Sequence, residues 1–432
     1  MTIIGLIFCF VVFISFLSTV SRATVPDSET FKYVNEGEFG EYFPEYAASY
    51  RLLPVGNYLF QLCFYSSNPD AFHLAMLMGN EDSDFSLLRF VWEANRNVPV
   101  GENATLTFGR DGNLVLANPD GRVVWSTGTA NKGVVGLKLL HDGNLVLYGK
   151  KGKFIWQSFE HPTDTLLVGQ SLKVGGPAKL ISRVSGFDGS EGPYSLVLQH
   201  SGLILYLKVG NQTLSYSGDS FSSTGSPLAS ATLTCTPETP AAYAYELKLS
   251  TPQGGPPAGG YLLARPYFNA TLSFMRIDPD GNLRTYTYYD KVEYSSWAVT
   301  FTFFAKTERF DSCRLPGMCG SFGVCENEMC VACPQPDGLL GWSRNCQPPK
   351  LGSCGGRVDY YKIEGVEHFL SAYNDGEGTM KVAECRDKCS KDCKCLGFTY
   401  KQESSKCLML HVLGTLSRDN DPSHTVYVKI AK

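Results

Sequence analysis

The 432-residue chain has almost no long hydrophobic run. The longest, I-I-G-L-I-F-C-F-V-V-F-I-S-F-L, covers 15 residues near the N-terminus and falls short of the roughly 20 that a membrane helix needs. It is followed by S-T-V-S-R-A, whose small residues suit cleavage near Ala23, so residues 1–23 read as a secretory signal peptide, with a membrane anchor as the alternative. No later segment is a span, and T-V-Y-V-K-I-A-K at the far end lacks the tail of a lipid-anchor signal. An excess of one charge is missing too. The 38 Lys and Arg against 42 Asp and Glu give a net charge of −4, and the basic residues are scattered, which argues against nucleic acid or an anionic membrane as the main partner. G-x-S-x-G and H-E-x-x-H are absent, and no acid pair stands out, so no catalytic residue is assigned and no enzyme is expected. A triad gathered from distant Ser, His and Asp would leave no such motif. G-N-L-V-L-Y-G-K at residues 143–150 has one residue too many between its glycines for a phosphate loop and no following Ser or Thr. No cofactor is expected.

Cysteine is abundant at one end only. Cys9 leaves with the leader, and of the remaining 14, 12 lie between Cys313 and Cys407. In a secreted chain such crowding means a disulfide framework. Zinc is the rival at Cys330-x-x-Cys333 and at Cys389-x3-Cys393-x-Cys395, but no His stands among them at finger spacings, and no metal is expected. Cys63 and Cys235 are left over, and a bridge joining them across the repeated units is the expectation. The sequons Asn103-Ala-Thr, Asn211-Gln-Thr and Asn269-Ala-Thr place three candidate N-glycans at the surface.

Between about residues 55 and 300, short alternating apolar runs are broken by Gly, Asn, Asp and Pro, which is an all-β pattern. Trp92, Trp125 and Trp156 recur 33 and 31 residues apart, each closing an apolar strand, and D-G-N-L-V-L is written twice, at 111–116 and 142–147. A repeat of this length implies one small sheet that cannot bury its own inner face. Three sheets packed about a common axis, with a Trp from each at the centre, solve that problem. Asp-Gly between apolar runs is a hairpin signal, and Leu145 and Leu147 then point to the core. Side chains alternate along a strand, so Asp142, Asn144, Val146 and Tyr148 share the other face. An acceptor, an amide, an apolar wall and a phenol in a row suit a pyranose. Asp111, Asn113 and Val115 repeat the arrangement without the phenol, since Ala117 follows them. The aromatic clusters F-T-F-F (301–304) and Y-T-Y-Y (286–289) read as core and strand-pairing residues, with contact platforms as the alternative.

V-W-E-A-N-R-N-V-P-V (91–100), the paired D-G-N-L-V-L strands, V-V-W-S-T (123–127) and W-Q-S-F-E-H-P-T-D-T-L-L-V-G-Q (156–170) together resemble the bulb-type mannose-binding lectin domain of plants. E-N-A-T-L-T-F-G, A-N-K-G-V-V-G-L-K-L-L and the cysteine-rich tail are similar to the plant epidermis-specific secreted glycoprotein group, a resemblance over nearly the whole mature chain. It implies a mainly β protein with a signal peptide (1–23) and a β-prism lectin domain (24–175). A second, degenerate S-locus-like lectin unit (176–305) follows, with M-R-I-D-P-D-G-N-L-R-T-Y-T-Y at 275–288 as its clearest match. After it come a small EGF-like disulfide module (306–349, with Cys313, Cys319, Cys325, Cys330, Cys333 and Cys346) and an α+β PAN/apple domain (350–432, with Cys354 and Cys393). M-K-V-A-E-C-R-D-K-C is the PAN helix, and the resemblance pairs Cys385 with Cys407 and Cys389 with Cys395.

The family's sugar motif is Gln-x-Asp-x-Asn-x-Val-x-Tyr. Leu140 and Gly109 stand at the Gln position of the two copies, and Gln199-x-Ser201-x-Leu203 in the second unit has lost both polar partners. Each missing hydrogen bond is worth about 1 kcal/mol, and a millimolar site has only about 4 kcal/mol in all. Two functions stay open. One is binding of glycans or cell-wall polysaccharide through Asp142, Asn144, Val146 and Tyr148, with a homodimer supplying multivalency. The other is a protein-interaction module or soluble decoy for cell-surface receptor ectodomains. Receptor relatives of this group continue into a membrane span and a kinase, neither of which is expected here. The location implied is the extracellular space, cell wall or apoplast.

Overall fold

Residues with a period of two must pair their edges and bury one face, and in the computed structural model they do so in three-sheet prisms. The structure describes residues 24–432 apart from 43, 80–87, 219–220, 223–225, 240–241, 253–254, 256–257, 294 and 306–310. The expected leader at 1–23 therefore lies outside the described residues.

The first prism has one antiparallel sheet of Ser49–Gly56, Phe60–Ser66, His73–Met78 and Arg89–Glu93, and a second of Phe31–Val34, Thr105–Phe108, Leu114–Ala117 and Val123–Ser126. Val134–Leu139, Leu145–Gly149 and Phe154–Gln157 form the third. Leu106, Phe108, Leu114, Leu116, Leu145 and Leu147 point inward and are buried, as alternation requires. At one end of this core the three indoles meet edge to face. Their centroids stand 5.9 Å (Trp92–Trp125), 6.1 Å (Trp92–Trp156) and 5.9 Å (Trp125–Trp156) apart, nearly an equilateral triangle.

The second prism starts earlier than the boundary expected at residue 175. Thr165–Leu167 pairs with Leu272–Ile277, Ser171–Lys173 with Ser230–Thr239, and Lys179–Arg183 with Glu191–Leu198. Three consecutive short strands thus each open a different sheet, and the two that precede residue 175 belong to the second unit. Leu166, Leu172 and Leu180 go to one core with Leu196, Leu205, Leu233, Leu247 and Ile277.

The expected break between the EGF-like and PAN modules is also bridged. Phe322–Glu326 runs parallel to Gly414–Arg418, within a five-stranded sheet that includes Met329–Gln335, Gly338–Gly341 and Val366–His368. Cys313–Cys325, Cys319–Cys330 and Cys333–Cys346 cross-link the first part, and Cys354–Cys393, Cys385–Cys407 and Cys389–Cys395 the second. Cys385 and Cys389 share the buried face of the helix Val382–Lys391, one turn apart. Cys63 and Cys235 are free, which corrects the expected bridge between them. The Cys63 side chain is sealed in an apolar layer with Tyr50, Tyr65, Ala75 and Leu77, where burial pushes its thiol well up, while Cys235 stands half-buried opposite Tyr245 in the second prism.

His368, at the shared sheet, is buried with Nε2 against the Val412 carbonyl at 3.0 Å and Nδ1 accepting the Leu370 N–H at 3.2 Å. Burial lowers its pKa to about 3. The ring stays neutral in the folded chain but takes a proton near pH 6.5 when unfolded. Its contribution is complete above that value and is lost as pH falls toward 3. Urea unfolding at pH 5 should show about 2 kcal/mol less stability from this group than at pH 7, and His368→Asn should remove that share of the slope. An unchanged slope in the variant would show that the ring titrates normally.

Candidate functional site

The repeated D-G-N phrase forms a clamp. In each copy the Asp carboxylate caps the backbone N–H two residues on: Asp111 to Asn113 at 3.1 Å, Asp142 to Asn144 at 3.0 Å, and Asp280 to Asn282, in the second prism, at 2.9 Å. The Asn carbonyl oxygen then accepts a backbone N–H from the next stretch of chain: Thr129 at 3.0 Å, Phe159 at 3.2 Å and Phe304 at 3.0 Å. The central residue must be glycine. Gly143 has φ +85°, and a Cβ there would lie 2.7 Å from the Phe60 ring. The clamp recurs at Asp280–Asn282, where Asp278 and Arg284 stand at the Gln and Val positions of the sugar motif, so it is a device of the fold.

This changes what the expected sugar face offers. Asp142 is exposed and Tyr148 half-buried, but Asn144 is only 4% and Val146 only 1% exposed. Alternation put Asn144 and Val146 on an open face; the neighbouring strand covers it instead. Asn144 Nδ2 donates to Gln157 Oε1 at 2.8 Å, Ser158 Oγ accepts the Leu145 N–H at 2.9 Å, and Gln157 Nε2 reaches Glu160 at 3.2 Å. The first copy is built alike. Asn113 Oδ1 also accepts from Thr127 Oγ1 at 3.0 Å, Asp111 is exposed, and Val115 is half-buried. Gln157 and Glu160 were not among the expected residues, although the W-S-T and W-Q-S pairs, with a hydroxyl two residues after each Trp, carried the signal. In the second unit Gln199 bonds Tyr206 at 2.8 Å and Leu203 is core.

Asn144, Gln157 and Glu160 are thus joined in one polar chain, and on the neighbouring strand the Lys138 ammonium sits 5.5 Å from the centre of the Tyr148 ring. Beside the indole triangle a cleft of about 530 Å³ opens, walled by Trp125, Trp156, His161, Arg96, Asn97 and Glu191. His161 stacks on Trp156 at 5.2 Å, and burial lowers its pKa against the opposing pull of Glu160. Behind the cleft lies a buried charge network joining the prisms. Glu45 grips Arg276 at 2.9 and 3.0 Å, and Glu93 holds Arg183 at 2.6 Å. Of the sequons, Asn103 and Asn211 are exposed and Asn269 is half-buried in a turn. Among the described residues, Glu367, Asp419 and His424 bring possible metal-ligand atoms within 4.8 Å, but Lys401 Nζ already lies 3.1 Å from Glu367 and His424 Nδ1 3.1 Å from the same oxygen. That cluster already has Lys401 as its counter-ion. No helix among the described residues is long and apolar enough to cross a membrane.

The D-mannose binding lectin model matches residues 89–183, and the PAN domain model residues 359–427. EP1-like glycoprotein 2 of Arabidopsis thaliana is 48% identical over 443 residues, covering 96% of this chain and 97% of that one. The epidermis-specific secreted glycoprotein EP1 of Daucus carota is 51% identical over 360 residues, 79% of this chain and 92% of its own. A G-type lectin S-receptor-like serine/threonine-protein kinase of Arabidopsis thaliana is 28% identical over 79% of this chain but only 39% of the kinase.

Proposed function

The chain belongs to the EP1-like family of secreted glycoproteins, and on that premise we propose that it is a non-enzymatic carbohydrate-recognition protein of the cell wall or apoplast. The observation that carries this reading is the first prism, closed round Trp92, Trp125 and Trp156 and overlapping the stretch that matches the mannose-lectin model. The mannose-type contact is assigned to the second-copy strand. Asp142 and Tyr148 touch the sugar, the Gln157 amide takes the part of the Gln that the motif has at the Leu140 position, and Asn144 and Val146 form the floor beneath. Asp111, Asn113 and Val115 serve the fold, since Ala117 offers no hydroxyl. A single site of this kind is weak, and a homodimer would raise its avidity. Asn103, Asn211 and Asn269 carry the N-glycans.

A second reading rests on a specific observation: the side-chain oxygens of Asn113 and Asn144 are both taken up by the clamp. On that reading the prism is a scaffold, and the chain is a protein-interaction module or soluble decoy for receptor ectodomains. A glycan array of the secreted protein beside an Asp142→Asn, Tyr148→Phe variant separates the two. Loss of two hydrogen bonds, at about 1 kcal/mol each, should lower the mannose-type signal by about thirtyfold. Unchanged binding would move the sugar site elsewhere. Silence on every glycan, together with capture of a receptor ectodomain, would establish the second reading.

A further inference from the structure

The second prism bears an aromatic surface at an unusual turn. Tyr267 and Phe268 are 78% and 66% exposed, a large apolar area to leave in water. The Ala270 N–H donates to the Tyr267 carbonyl at 3.3 Å, and the two residues inside that turn, Phe268 and Asn269, have φ of +57° and +52°. Asn tolerates this conformation; Phe does not adopt it without a compensating constraint. Here Lys291 Nζ ties the Asn269 carbonyl at 2.9 Å, and the Phe268 ring is held edge-to-face against Tyr289, with centroids 5.9 Å apart. The turn therefore presents two aromatic rings beside a groove of about 540 Å³ that Arg265, Tyr289, Val299 and Thr300 also line.

Directly after those rings comes the sequon Asn269-Ala270-Thr271. Asn269 Oδ1 lies out of solvent and without a hydrogen-bond partner. We propose that this surface is the seat of the chain's own Asn269 glycan, whose first N-acetylglucosamine lays its apolar face on Phe268 and Tyr267. The attachment step is transfer from a lipid-diphosphate-linked oligosaccharide. Asn269 Nδ2 bonds the anomeric carbon and gives up a proton to a base of the transferase, and the lipid diphosphate leaves with the electron pair of the broken C–O bond. Sugar C–H groups carry a partial positive charge and the ring faces a negative one, so a pyranose suits an aromatic face better than water does. A covalent tether one residue away also gives the sugar a high local concentration at the rings. The inference rests on Asn269 being glycosylated, which is measured separately.

The test uses the intact secreted protein made with high-mannose glycans. Glycopeptide mass spectrometry first reports occupancy at Asn269. Hydrogen exchange of residues 262–276 is then compared in three forms: untreated, trimmed by an endoglycosidase to the single first sugar, and stripped by an amidase. The trimmed form should keep the protection of the untreated one, and the stripped form should exchange about fivefold faster, the factor that an ordinary aromatic contact provides. In Tyr267→Ser, Phe268→Ser protein, stripping should change nothing further. An unoccupied Asn269, equal exchange in all three forms, or an equal effect of stripping with the rings removed would each overturn the proposal. So would groove binding of an added sugar or protein that the native glycan does not block.

Discussion

Arg276→Met is expected to destabilise the protein by about 3–5 kcal/mol, the usual cost of removing one partner from a buried ion pair. Arg276 comes from the second prism and enters the outer face of a first-prism sheet. Its Nη1 donates to Glu45 Oε2 at 2.9 Å and to the Tyr46 hydroxyl at 3.1 Å, and its Nε to Thr165 Oγ1 at 3.1 Å. Nη2 reaches Glu45 Oε1 at 3.0 Å and also the Phe90 carbonyl. Both Glu45 and Arg276 are 2% exposed. In the variant Glu45 keeps only Arg89 and the Phe90 N–H, at 3.1 and 2.7 Å. The Phe90 carbonyl and Thr165 lose a donor. Pairing Glu45→Met with Arg276→Met should cost less than the sum of the single changes, because their mutual contact is then lost only once, although Arg89 still loses its carboxylate. Urea unfolding followed by tryptophan fluorescence measures all three. A loss below about 1 kcal/mol for Arg276→Met would mean that water already solvates the pair, as at a surface bridge.

Trp156→Ala should cost a similar amount, about 3–5 kcal/mol, since it removes a large buried ring and leaves a cavity. Trp156 belongs to the nearly equilateral indole triangle and also stacks on His161 at the cleft. Trp125→Ala should cost less, because that ring is half-buried. Denaturant midpoints of the two variants test the order. Equal losses, or a larger one at Trp125, would show that the centre of the prism is not held by the triangle as its geometry indicates. The D-G-N clamps grip the chain just beyond Trp125 and Trp156, at Thr127 and Phe159, so loosening the indoles should also weaken any glycan signal at Asp142 and Tyr148.

Much of this architecture was legible in the sequence because it is local or periodic. The 33- and 31-residue spacing of the tryptophans announces three sheets round one axis. D-G-N names a turn that only glycine fits, and the crowded cysteines name a cross-linked tail. The sugar face was read with the same rule of alternation, and there the rule was insufficient. It orients Asn144 and Val146 correctly away from the core leucines, yet it does not know that Gln157, Ser158 and Phe159 close over them from the next strand.

The sequence by itself determined the β class, the three-fold repeat, the turns and the disulfide-rich end, since each is set by residue type at short range. Tertiary structure alone decided where the second prism begins, because strands as short as Thr165–Leu167 and Ser171–Lys173 carry no period of their own. It likewise decided that Phe322–Glu326 joins Gly414–Arg418 and that Glu45 finds Arg276. Such pairings join segments far apart in the chain, where loop closure must be offset by contacts that exist only once both partners are folded.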